Sequence, residues 1–397
     1  MMIRRILGLA VTACLVPALL PAQQMTVAMV KEMGLSAPEL PSGSEYVSVE
    51  NHLDERVADF IIGPLDLPAG MMHLRLPIQM AEMPVDGWLH GFEVTMEDGQ
   101  GNEIPMDLLH HVNFIDPDKR DVFAPIARRV LAAGRETSRK RLPALIGYPV
   151  QEGDRLLISA MFANPTGRDF PEAYLRVRLS YSLEEDGFMQ PRDVYPFYLD
   201  VMGPVGAKDF PVPPGRTVHA YEATPAVEGR ILGIGGHLHD YATVLRLEDV
   251  TEGKVIWEAE PRFDGEGRLT GVSESRLWMT GGVKVTPEHT YRIYVQYDNP
   301  TAEPAPNGGM GEIGGVIWVS RDAAWPELSR QDPIYVADLI NTLEAPERAG
   351  GHGEHGMEGM QDGGMDHEHM DHGMPSVDAQ APESPTQHPA SHEHDGR

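Results

Sequence analysis

Between residues 44 and 319 the chain alternates apolar and polar positions in short runs. Leu175, Val177, Leu179 and Tyr181 are separated by Arg176, Arg178 and Ser180, and Tyr291, Ile293, Val295 and Tyr297 by Arg292, Tyr294 and Gln296. A period of two puts one set on a buried face and the other toward solvent, which is the pattern of a strand. Glycine and proline close these runs, as in Leu67-Pro68-Ala69-Gly70, Val212-Pro213-Pro214-Gly215 and Gly281-Gly282. Many short strands with closely spaced turns predict an all-β chain of antiparallel sandwiches. Helical periodicity is confined to residues 122–133 and Pro333–Leu343.

The strand pattern repeats. Trp88-Leu-His-Gly-Phe-Glu-Val94 echoes Thr217-Val-His-Ala-Tyr-Glu-Ala223, and each is followed about twenty positions later by a histidine pair. Met161-Phe-Ala-Asn-Pro-Thr166 echoes Gln296-Tyr-Asp-Asn-Pro-Thr301. Landmarks shared in one order predict two copies of one β-domain, residues 44–190 and 191–325, joined near residues 187–193. A C-terminal helix and linker (326–349) follow, and residues 23–43 form an N-terminal extension.

Composition adds a compartment. Arg4-Arg5, an apolar run from residue 6 to residue 20, and Pro21-Ala22 read as an export signal occupying residues 1–22, too short to stay as a membrane span. This points to a periplasmic or secreted protein. The single cysteine, Cys14, lies inside that segment. Val11-Thr12-Ala13-Cys14 resembles a lipoprotein box, but the apolar residues 15–20 behind it favour cleavage near Ala22. The mature chain then has no disulfide, no thiolate metal site and no cysteine nucleophile. Loss of Arg4 and Arg5 takes the formal charge from −28 to −30. A chain this acidic repels nucleic acid and anionic membrane surfaces and attracts cations.

Residues 350–397 are a different material. They hold eight histidines, five methionines, ten acidic residues and one basic residue, Arg397, with almost no aromatic or β-branched side chains. Such a tail cannot bury enough apolar surface to fold. Its motifs, His352-Gly-Glu-His355-Gly-Met357 and Met365-Asp-His-Glu-His-Met370, offer imidazole and thioether at short spacing, which suits copper. Nickel or zinc, and a merely solvating role, are the competing readings.

The body carries the same two donors. His237 and His239, in GGHLHDYA, lie two apart on a strand and so share a face. His110 and His111, in LLHHVNF, are neighbours and would face opposite sides of a regular strand. They can reach one metal only at a bulge or a strand end. Met310 sits between two β runs in Asn307-Gly-Gly-Met-Gly311. Imidazole with thioether is a donor set suited to copper cycling between Cu(I) and Cu(II). Each residue also has a structural reading, Met310 as a gap-filling core methionine above all. His90 and His219 occupy matching positions of the repeat and read as hydrogen-bonded structural histidines, with a ligand-orienting role as the alternative. His52, His73 and His289 show no partner pattern.

The order HH, HxH, Met resembles the copper type II, ascorbate-dependent monooxygenases, the family of peptidylglycine α-hydroxylating monooxygenase and dopamine β-monooxygenase. That resemblance implies two tandem jelly-roll domains with one copper each. One copper would be held by His110, His111 and a later residue, the other by His237, His239 and Met310. The 71 residues from His239 to Met310 are similar to the family's interval, as is the segment GGHLHDYATVLRLEDVTEG. It further implies C–H hydroxylation with dioxygen and ascorbate or another reductant, the second site activating oxygen and the first passing an electron.

Two positions depart from the family. Its third ligand at the first copper lies on a strand reading like VHYxNP, where this chain has Met161, either a Cu(I)-favouring thioether ligand or a core residue of a degenerate site. Gly235 stands where peptide-amidating members carry an arginine that holds the substrate carboxylate. Glycine cannot supply that clamp, so peptide amidation is not expected and the substrate is read as another small organic molecule. The alternatives from other classes are an exported copper-handling protein on the same fold, and a β-sandwich adhesion or carbohydrate-binding module with incidental histidines.

Overall fold

The computed structural model describes residues 25–344, apart from residues 135, 136, 188, 266 and 307. The expected export signal, residues 1–22, and the His/Met-rich segment, residues 350–397, lie outside the described residues. Within them the chain is almost entirely antiparallel β. The alternation is obeyed: in Phe170–Ser182, residues 175, 177, 179 and 181 are buried, as are 291, 293, 295 and 297 in Tyr291–Asn299. No described helix is long and apolar enough to cross a membrane.

One long sheet runs through the body. Its first part has the order Val47–His52, Val57–Leu67, Phe170–Ser182, Gly87–Asp98, Ile146–Val150, and its second part Arg192–Asp200, Gly311–Val319, Gly229–Leu238, Ser275–Arg276. The two parts meet where Ile146 and Gly147 pair in parallel with Arg192 and Asp193. Each part is covered by a smaller sheet. Over the first lie Leu74–Arg75, Arg155–Phe162, Leu109–Arg120 and Ala127–Gly134, with Gln79–Glu82 also paired to Arg155–Phe162. Over the second lie Gly215–Ala223, Tyr291–Asn299, Ala242–Asp249 and Lys254–Ala259. Each pair of sheets encloses its own core, one around Phe60, Phe114 and Ile158, the other around Leu245, Val295 and Ile317.

The two halves share a plan down to individual side chains. In each, the strand ending in Asn-Pro-Thr lies second in the small sheet, and the buried asparagine ties the turn. Asn164 Nδ2 donates to Leu67 O (2.7 Å) and Arg168 O (2.8 Å), and its Oδ1 accepts from the Thr166 amide and hydroxyl. Asn299 repeats the set with Val212 O (3.1 Å), Glu303 O (2.8 Å) and Thr301. Leu67 and Val212 belong to the two Pro-containing turns seen in the sequence, so those turns are equivalent as well.

The other sequence echo is not structural. Thr217–Ala223 lies in a small sheet beside the Asn299 strand, and the matching place in the first half is held by residues 74–82. Trp88–Val94 lies in the long sheet. His90 and His219 are therefore not equivalent.

Residues 122–133 are not helical. Val122 and Phe123 leave the first half and enter the second core, where the Phe123 ring lies 5.6 Å from Phe197, and Ala127–Gly134 is a strand. Burial of Arg128 under the rings of Tyr195 and Trp325 (5.1 and 4.9 Å) overrides local helical propensity.

Pro333–Leu343 is the expected helix. Pro333 opens it and the Asp332 side chain caps it by accepting from Ile334 N (2.8 Å). Its apolar face covers Ile115, Ala127 and Leu157, and Asp338 receives Arg129 and the Ala127 amide.

Candidate metal centre

The first histidine pair stands on a bulge. His111 pairs with Met161 and Leu109 with Phe162, which leaves His110 as the extra residue between them. The imidazoles that a regular strand would send apart are thereby brought together, with Nδ1 of His110 3.0 Å from Nδ1 of His111 and the rings 5.1 Å apart. The second half has the same bulge: Ala242 pairs with Tyr297 and Val244 with Gln296, with Thr243 between. The bulge thus belongs to the shared plan, and only the first half places histidine on it.

Met161 also pairs with Arg75, so Arg75, Met161 and His111 form a row on one face of the small sheet, against Gly134 on the far side. The structure therefore sets Met161 beside His111. It also brings in a residue the sequence did not single out. His73 precedes Leu74–Arg75, and its ring lies 6.1 Å from that of His110, edge to face. Nothing in local spacing marks His73; only the pairing of Arg75 with Met161 carries it there. Burial holds the His111 imidazole down to about 4, with His110, Arg75 and His237 adding like-charge repulsion. At neutral pH that ring is uncharged, with a lone pair available to a metal.

His237 is the penultimate residue of the strand Gly229–Leu238, and His239 follows the strand. Their rings are 5.2 Å apart and nearly perpendicular. Gly236 must be glycine, because a Cβ there would lie 2.3 Å from the Leu245 side chain and 2.8 Å from Glu312 O. His237 pairs with Glu312 and Leu238 with Gly311, which puts His239 at the level of Met310.

Tyr297 makes that juxtaposition firm. Its buried hydroxyl accepts from the amides of His239 and Met310 (3.0 Å each) and donates to Met310 O. Burial pushes the phenol up to about 12, so it remains a donor. One oxygen thus satisfies three backbone groups from two of the three expected ligands, which lie 71 positions apart. In the sequence Tyr297 reads only as a buried aromatic of its strand, the place Phe162 takes in the first half.

Met310 is less free than its glycines suggest. Gly309 and Phe210 exchange backbone hydrogen bonds (2.9 and 2.7 Å), and Gly308 takes φ +61° beneath Phe210 O. Across three strands Asp200, Glu312 and His237 share a row, and Tyr198 Oη lies 2.7 Å from Asp200 and 2.9 Å from Glu312. Burial raises the Asp200 carboxyl above the usual carboxylate range. Beside Gly235, where the amidating enzymes have arginine, the Glu274 side chain lies 3.1 Å from a notional Cβ. That neighbour is anionic and is paired with Lys140.

Other histidines among the described residues have structural partners. His90 bonds Ile146 O through Nδ1 (2.9 Å) and Ser182 Oγ through Nε2 (2.8 Å). His219 packs on Phe210 at 4.0 Å, and His289 pairs with Asp249 at 2.7 Å. His52 lies near Glu50 and Asp59, a grouping that resembles a cation site, but two arginines already hold Asp59: Arg178 at 2.7 Å and Arg176 at 3.0 Å. A metal there would have to displace both.

Imidazole pairs at 5.1 and 5.2 Å fit a shared metal, since two rings bound at about 2.0 Å have centroids roughly 4.5 Å apart at a right angle and roughly 6.3 Å apart when linear. With Met310 and Met161 at hand, the donor chemistry suits copper. No protein-family model and no curated protein matches the chain. Among solved structures it is similar to the STIV MCP (8% identity, TM-score 0.32, covering 71% of this chain and 97% of that one). It is also similar to a protein of the Sputnik virophage (9%, 0.20, 75% and 92%) and to PNGF-II (9%, 0.25, 72% and 62%). Likeness at this level leaves the function to be read from the residues themselves.

Proposed function

We propose that the chain is an exported copper protein that hydroxylates a C–H bond of a small organic substrate, with dioxygen as oxidant and ascorbate or another reductant as electron donor. One oxygen atom enters the C–H bond, and the other leaves as water with two electrons from the reductant and two protons. The observation that carries the reading is the Tyr297 hydroxyl holding the backbones of His239 and Met310 together beside His237. Copper bound there would supply oxygen activation.

The chain's own part is positional. His237, His239 and Met310 would present two nitrogens and a sulfur, Tyr297 fixes the spacing of two of their backbones, and Glu312 lies opposite His237 in the strand pairing. His110 and His111, with Met161 beside them, would hold the first copper and relay an electron.

His239→Ala should abolish reductant-dependent oxygen uptake by the copper-loaded protein while leaving its melting temperature within a few degrees of the wild type. Undiminished uptake would overturn the assignment.

A second reading, copper handling without turnover, is favoured by Met72. This thioether is 68% exposed and adjoins His73 at the first pair, a suitable surface donor for receiving Cu(I). Copper bound at wild-type stoichiometry with no oxygen uptake under any reductant would select it.

A further inference from the structure

We infer that His73 is a metal ligand of the first pair, making it a three-imidazole site assembled from two strands. The inference rests on the copper reading above and assigns the third nitrogen to a residue that neither the sequence pattern nor the resemblance marks. The expected third donor was Met161, from the central strand of the three. The geometry points past it.

Antiparallel pairing of Arg75 with Met161 and Leu74 with Phe162 carries the chain so that His73, two residues before Arg75, returns to the face that holds Met161 and His111. The bulge moves His110 out of register toward the same place. The two rings meet edge to face at 67° with centroids 6.1 Å apart. That separation falls inside the span of roughly 4.5 to 6.3 Å open to two imidazoles on one metal. His110 is thus within metal-sharing distance of both His73 and His111.

Nδ1 of His73 is buried, so that nitrogen is directed into the protein rather than to bulk water. Arg75, next but one, is half-buried beside the site. Three imidazoles with a thioether at the edge make a nitrogen-rich donor set that accepts both copper oxidation states. A His-His-Met set would favour Cu(I).

The test uses the full chain, so that the tail contributes equally to every sample. Wild type, His73→Asn, Met161→Leu and His110→Ala are loaded with Cu(I), challenged with a strong Cu(I) chelator, and assayed for retained copper per chain, with near-ultraviolet circular dichroism confirming the fold. His73→Asn and His110→Ala should each lose one chelator-resistant copper, and Met161→Leu should keep it. If His110→Ala loses that copper and His73→Asn keeps it, the inference is overturned while the first copper site stands. If His110→Ala keeps it too, the first site fails and the inference with it.

Should His73→Asn not fold, the wild type alone decides through diethyl pyrocarbonate labelling read by mass spectrometry. Copper loading should protect His73 together with His110 at least fivefold; protection of His110 without His73 overturns the inference.

Discussion

Single side chains decide whether the expected ligands meet. Tyr297 and Phe162 occupy equivalent places, one with a hydroxyl and one without, and only the hydroxyl joins His239 to Met310. Since phenylalanine already serves at the equivalent place, Tyr297→Phe should fold. It would leave two amides and a carbonyl without their partner, at a cost of about 1–3 kcal/mol. The expected result is a lower denaturation midpoint and copper released from the second site about tenfold more readily, measured by chelator competition. Unchanged copper retention would show that the staple is structural only.

The same scale explains what could be read beforehand. His110, His111, His237, His239 and Met310 were visible as donor types in order, because metal chemistry restricts the side chains that can serve. His73 stands without a partner pattern and Tyr297 reads as a core aromatic until strand register places each of them.

Among the elements, alternation was a reliable guide where one face is buried, as in Phe170–Ser182, and capping was reliable at Asp332-Pro333. It failed at residues 122–133, whose side chains divide between two cores and a cation–aromatic stack that no local window contains. The echo of Trp88 with Thr217 failed for a related reason: strands of like composition serve in different sheets, whereas Asn164 and Asn299 are fixed by four hydrogen bonds each and cannot be exchanged for look-alikes.

The connection after Leu109–Arg120 carries its own prediction. Asp121 is fully buried, Oδ1 accepts from Phe123 N (3.1 Å), and Oδ2 has no hydrogen-bond partner among the described residues. Burial raises its pKa from 3.8 to about 6, against the opposing pull of the Phe123 amide and then of Arg128, Arg129 and Arg120. A carboxyl raised in the folded state contributes stability that is fully present below about pH 4 and is lost as the pH climbs through about 6. The contribution is up to about 3 kcal/mol. Asp121→Asn carries no proton to lose, so its stability relative to wild type should increase between pH 4 and 7 in urea titrations. A pH-independent difference would contradict this account of Asp121.

At the scale of the whole molecule, a continuous sheet ties two similar sandwiches together and brings a histidine pair from each half within electrostatic reach of the other. The all-β class was legible in the sequence. The shared sheet was not, because it depends on a parallel pairing of Ile146 and Gly147 with Arg192 and Asp193 that has no counterpart in local pattern.

The proposed function turns on copper at the second histidine pair. The most direct measurement is an anomalous difference map at the copper edge from crystals of the Cu(I)-loaded full chain. A peak within about 2.5 Å of a ring nitrogen of both His237 and His239 and of the Met310 sulfur is the predicted result. Loaded crystals with no peak between these three side chains would contradict it.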